Sequence, residues 1–180
     1  PYEYMFLPDY IESSFDRAVM NGTPLVKKKI DVYEHTPEDY PRSIFHPLHV
    51  FIFVAVIAIL MSIMDFRHKK LSTWFDVILF GVSGAIGLLL FLLWIATDHK
   101  AAANNFNLLW ALPTHLFAVV AFYKNPKWLK KYFLITSLAA ALSLILWPIL
   151  PQQLNLFLIP FVVALLVRAW LQYRVRSMVL

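Results

Sequence analysis

The chain has 180 residues, 60% of them hydrophobic, with six Trp, eight Tyr, fifteen Phe and a formal net charge of +5. The absence of cysteine excludes thiol catalysis, thiolate metal sites and disulfides within these residues. The cations lie in short loops between apolar runs, with no aromatic-interleaved basic groove, which argues against nucleic acid and for a membrane facing anionic lipid.

Residues 1–46 form a polar, aromatic-rich preface. Pro8 and Asp9 predict the start of a short helix reaching Met20, with Phe6, Tyr10, Phe15 and Val19 as apolar contacts. Asn21-Gly22 is a turn signal. Val26, Ile30 and Val32 fall on even positions, which predicts a strand over residues 25–33 with one buried face. One helix and one strand cannot build a core, so this preface is expected to be a small α+β remnant of an extracytoplasmic domain. Residues 35–47, with Pro37, Pro41 and Pro47, read as the linker into the membrane. The chain opens at Pro1 without a signal peptide, so an upstream region is expected to direct the preface outward.

The remainder, residues 47–180, predicts an all-α membrane domain of five transmembrane helices at about 48–64, 74–96, 105–123, 132–150 and 154–171. The third apolar run is the shortest and borrows a turn from residues 104–107. Connection one carries Arg67, Lys69 and Lys70, and connection three carries Lys124, Lys127, Lys130 and Lys131. Connection two has only Lys100 beside Asp98, and connection four has no charge. Arg174 and Arg176 mark the tail, with Arg168 farther inside. Short cationic loops stay on the cytoplasmic side. The N-terminus is therefore expected outside and the C-terminus inside a bacterial inner membrane. Lys27, Lys28 and Lys29 run against that trend, but long segments cross largely regardless of charge.

Gly81, Gly84 and Gly87 in the second span read as a packing seam. The sequence around Ser83 lacks the spacing and strand context of a nucleophile elbow. Ser137, Ala139, Ala140, Ala141 and Ser143 suggest close packing of the fourth span. Pro148, Pro151 and Pro160 are expected to bend or end the last two spans. There is no internal repeat and no pair of interrupted spans of the transporter kind.

The chemically distinctive stretch is connection two and the start of the third span. Asp98, His99, Asn104, Asn107, Trp110 and His115 gather there and are the candidate substrate or headgroup-binding residues. A helix starting at this point would place Asn104, Asn107 and Trp110 on one face, where amide donors and acceptors suit a phosphate, glycerol or carbonyl headgroup or a docked domain. The plainer reading is helix capping by Asn104 or Asn105 beside an interfacial Trp. His115 lies within the third span, where an ionisable group faces the bundle interior, either bonded to a carbonyl or functional.

His35, His46, His49, His99 and His115 all map to the outer half. They leave open a metal or haem reading, although no metal-ligand spacing is present and no cofactor is expected. Asp65 and Asp76 flank Arg67, Lys69 and Lys70, which predicts interfacial ion pairing. Trp94, Trp110 and Trp147 near the outer ends, with Trp74 and Trp128 near the inner ends, fit an aromatic belt.

Thr97-Asp98-His99, the run Asn104-Asn105-Phe106-Asn107-Leu108-Leu109-Trp110 and Pro113 resemble the membrane region of a family from Bacteroidetes and related bacteria, the Lnb-type (lipoprotein N-acyltransferase-like) family, some of whose members are described as lipoprotein N-acyltransferases. Phe6-Leu7-Pro8-Asp9-Tyr10, Phe15-Asp16-Arg17-Ala18 and Pro24-Leu25-Val26 are similar to the end of that family's periplasmic, cysteine-nucleophile domain. The resemblance implies acyl transfer to lipoprotein N-termini, with the nucleophile upstream of this chain. Phospholipid, lipoproteins and the upstream periplasmic domain are the implied partners. It also implies an accessory role at the outer leaflet for Asp98, His99, Asn104, Asn107 and Trp110. Two other readings stay open: a non-catalytic membrane anchor that docks a partner, and an outer-face histidine metal or haem protein.

Overall fold

The computed structural model describes residues 8–30, 46–97 and 103–179. The chain divides into two units, Pro1–Pro41 and Arg42–Leu180.

In the first unit, helix α1 spans Pro8–Arg17. It ends short of the expected Met20 because the chain turns at once into a hairpin of β1, Val19–Met20, and β2, Thr23–Pro24. Asn21 and Gly22 make that turn with φ of 52° and 79°. Two successive positive φ values are what a tight hairpin with the strand twist requires, and Asn-Gly supplies them at low cost. The strand expected over residues 25–33 is absent from its described part, 25–30. After Leu25 N–H donates to the Ala18 carbonyl at 2.8 Å, the opposite chain is already helical and offers no further ladder. Residues 31–33 lie outside the described residues.

The second unit is helical. Helix α2, Pro47–His68, starts with Pro at its first position, where a missing N–H costs nothing, and His46 Nδ1 accepts from Leu48 N. It ends at Lys69, whose φ of 51° makes a left-handed cap. Helix α3 is Thr73–Ala96, α4 is His115–Ala121, α5 is Trp128–Leu146 and α6 is Ile159–Val179. Among the described residues four segments are long and apolar enough to cross a membrane: Pro47–His68, Thr73–Ala96, Trp128–Leu146 and Leu156–Met178. This makes the chain a multi-pass membrane protein.

Several helix boundaries differ from expectation. Helix α2 runs on to His68, and α6 runs on to Val179. Helix α5 starts at Trp128, with Lys130 and Lys131 in its first turn. It stops at Leu146, ahead of Pro148. Pro160 occupies the first turn of α6, so it begins that helix rather than ending it.

The larger correction concerns the expected helix over 105–123. The segment forms a four-residue 3-10 helix, Phe106–Leu109, then irregular backbone, then the seven-residue α4. Pro113 has no N–H for the Leu109 carbonyl and disfavours helical backbone at Leu112, so the two pieces cannot merge.

Helix α6 packs chiefly on α5 and α2, and α3 packs on α4. Small and polar residues make these seams. Ala55, Ala58, Ser62 and Asp65 form the buried stripe of α2, while Phe53, Leu60 and Met64 stay exposed. Ser62 and Ser143 return their hydroxyls to the carbonyls of Ala58 (2.6 Å) and Ala139 (2.7 Å), which satisfies them without water.

The helix ends segregate by chemistry. Lys69, Lys70, Asn125, Lys127, Lys130 and Arg176 line one cavity, which joins the α2–α3 loop, the α4–α5 loop and the end of α6 as a basic end. At the other end Phe106 N donates to Gln152 Oε1 at 2.7 Å, and the His46 ring packs on Phe157 at 4.8 Å. We call this the asparagine end.

Candidate functional site

The irregular third segment starts at the asparagine end with Asn104, whose φ is 54°. Asn105 then caps the 3-10 helix, its Oδ1 accepting from Asn107 N at 3.0 Å and from Asn107 Nδ2 at 2.9 Å. Asn107 Oδ1 in turn accepts from the indole of Trp110 at 3.1 Å. Gln152 joins from the α5–α6 loop, its Nε2 donating to Asn105 Oδ1 at 3.5 Å. A cavity of about 240 Å³ lies beside this cluster, lined by Trp94, Asn104, Asn105, Phe106, Leu108 and Leu109.

Beyond Trp110 the line enters the helix bundle. The Trp110 carbonyl, freed from helical pairing by the break, accepts from His115 Nε2 at 3.2 Å and from Ser83 Oγ at 3.5 Å. A carbonyl only accepts, so Nε2 of His115 carries the proton. In the neutral ring Nδ1 then accepts from Tyr132 OH, 2.6 Å away, and Tyr132 takes the Thr114 hydroxyl at 3.2 Å. His115 is fully buried, and its ring also meets Phe80 edge-on at 5.3 Å. Irregular backbone at membrane depth is tolerated only where protein covers it or a water-filled cavity takes it up. Glycine provides the cover here. A Cβ at Gly87 would fall on the Ala111 carbonyl, and one at Gly84 would press on His115 Cβ and on Leu116 at 3.0 Å. Gly81 faces open space and takes no part in the seam.

A second polar centre lies near the basic end. Arg168, in the middle of α6, is fully buried. Its Nε and Nη2 donate to the two oxygens of Asp76 on α3 at 2.6 and 2.7 Å, and Nη2 reaches Asp65 on α2 at 2.9 Å. Asp65 also accepts from Ser72 N at 2.8 Å and Ser72 Oγ at 2.6 Å, which closes the α2–α3 turn over it. Gln172 Nε2 donates to Asp76 at 2.5 Å, and Gln172 Oε1 accepts from Arg176 Nε at 2.8 Å. The expected pairing of Asp65 and Asp76 with Arg67, Lys69 and Lys70 is thus replaced by a buried bidentate contact to Arg168. Charge inside a bilayer is tolerated only when paired and turned into the bundle. The sequence signal was only that charged residues within apolar helices need partners; it does not say which.

Of the sequence candidates, Asn107, Trp110 and His115 are joined in one hydrogen-bonded line. Asn104 does not share a helix face with them, since no regular helix starts there; it lines the neighbouring cavity instead. Asp98 and His99 lie outside the described residues, as does His35. Asn105 is the cap that the plainer reading allowed. Sequence reasoning missed Gln152, Tyr132 and Thr114, whose partners are remote in sequence. His46 and His49 rings are 5.7 Å apart, and among the described residues no three His, Cys, Asp or Glu side chains converge as metal ligands.

The family described as the Lnb transmembrane domain matches residues 39–178 of the chain. No curated protein and no solved structure matches it.

Proposed function

Since the chain belongs to the family of Lnb transmembrane domains, we propose that it is the membrane domain of an Lnb-type enzyme acting on lipid-linked substrates, with acyl transfer to lipoprotein N-termini as its chemistry. The family match is the observation that carries this reading. The chain has no cysteine, so a thiol nucleophile would come from outside these 180 residues. In this reading the asparagine end faces outward from the bacterial inner membrane and the basic end faces the cytoplasm, as short cationic loops require.

The geometry supports a positioning role. The cavity beside Asn104 and Asn105 offers apolar walls and amide groups together, which suits a phospholipid or a diacylglyceryl headgroup with the start of its chains. The capped Asn105–Asn107–Trp110 turn fixes those amides before a substrate arrives, and the His115–Tyr132 pair ties the turn to α5. Holding the ester and the amine at one depth removes much of the entropic cost of their encounter.

A second reading, an anchor that docks a partner, draws on the fact that Asn107, Trp110 and His115 spend hydrogen bonds on one another. A reporter lipoprotein separates the two. Deletion of the full-length parent gene, in cells without a redundant acyltransferase, should leave the reporter one acyl chain lighter by intact mass. The wild-type gene should restore the chain. An Asn107→Ala copy, expressed equally, should act about a hundredfold more slowly, the scale of a mispositioned substrate. A reporter mass unchanged by deletion rules out the acyl-transfer reading.

A further inference from the structure

We infer that the cavity at the basic end is a binding site for the phosphate-ester headgroup of an anionic membrane phospholipid, held by Lys70, Lys127, Lys130 and Arg176. The cavity has a volume of about 400 Å³ and is lined by five cationic side chains, the fifth being Lys69, and by no carboxylate. Leu71, Phe122, Pro126 and Val175 supply its apolar wall. A scatter of loop lysines that only satisfies membrane orientation requires no shared concavity. Here three separate chain segments turn their cations into one.

Arg176 is built into the site. Its Nε donates to Gln172, its Nη1 donates to Asn125, and its guanidinium carbon lies 5.7 Å from the Phe122 ring centre. These contacts fix the planar fork and occupy two of its five N–H donors, so three remain for a ligand in the cavity it lines. The two nearest carboxylates are already paired. Asp65 and Asp76 are turned into the bundle and spent on Arg168. The cavity sits at the ends of membrane-crossing helices, where basic pockets meet lipid headgroups, and its apolar wall would accept the glycerol and the first methylenes. A free phosphate ion would use the cations alone.

The test uses the purified protein in a zwitterionic detergent, with bound lipid counted by native mass spectrometry and thermal unfolding followed in parallel. Phosphatidylglycerol should bind one-to-one and raise the melting temperature. Phosphatidylcholine and inorganic phosphate should do neither. Changing Lys70, Lys127 and Lys130 together to Gln should weaken phosphatidylglycerol binding roughly a hundredfold. Changing Arg67, Lys124 and Lys131 to Gln removes the same charge from outside the cavity and should leave binding intact. Equal losses in the two triple variants would overturn the site in favour of diffuse attraction. An equal shift from inorganic phosphate would overturn its lipid assignment. Failure of this inference leaves the acyl-transfer reading untouched, because the two are read by different assays at opposite ends of the helices.

Discussion

Replacing Arg168 with Leu is expected to cost the protein about 3–5 kcal/mol, the usual penalty for leaving a buried charge without its partner. Two carboxylates are stranded. Asp65 keeps only Ser72, and Asp76 keeps only Gln172. Arg168→Lys should recover part of the loss, since an ammonium can neutralise charge but cannot span both oxygens of Asp76 and reach Asp65 with a planar fork. The double change Arg168→Leu with Asp76→Leu should be more stable than Arg168→Leu alone, because removing both partners removes the stranded charge. Thermal unfolding in detergent reads all three. A melting temperature for Arg168→Leu within a degree or two of wild type would mean that the contact does not hold α6 to the α2–α3 pair.

The second large effect concerns backbone against backbone. Gly87→Ala is expected to destabilise by about 1–3 kcal/mol despite the better helix propensity of alanine, since its Cβ meets the Ala111 carbonyl and overpacking is not relieved by a rotamer change. Gly81→Ala lies on the same helix and meets nothing, so it should be neutral or stabilise by up to about 1 kcal/mol. Gly84→Ala should fall between, since its contacts at 3.0 Å include the movable Leu116 side chain as well as backbone. Opposite signs at positions 81 and 87 would locate the irregular segment against α3. Equal effects at both would contradict that placement.

Much of this architecture was legible in the sequence. Hydropathy located α2, α3, α5 and α6 to within a turn or two, because lipid demands apolar side chains along the whole crossing length. Alternating loop charge correctly grouped the first loop, the third loop and the tail at one end. Asn21-Gly22 gave its turn, though not the short strands on either side, since the required φ values belong to few residue pairs. His115 faces inward and bonds a carbonyl, as a buried imidazole in an apolar run should. The break in the third span was less visible. Hydropathy averages over residues 105–123 and sees an apolar run, whereas one missing N–H at Pro113 decides the backbone. Pairing was the least legible feature. Arg168 and Asp76 are 92 residues apart, and nothing local to either names the other. Tyr132 was likewise unassigned, because its link to His115 depends on how α4 and α5 pack.

In the proposed function the helices position acyl-transfer chemistry and do more than tether it. The most direct measurement is the intact mass of a reporter lipoprotein in cells whose only copy of the parent gene carries a foreign multi-helix anchor in place of residues 47–180. With the chimera present in the membrane at wild-type levels, the reporter should lack one acyl chain. A fully acylated reporter would contradict it and leave these helices as an anchor.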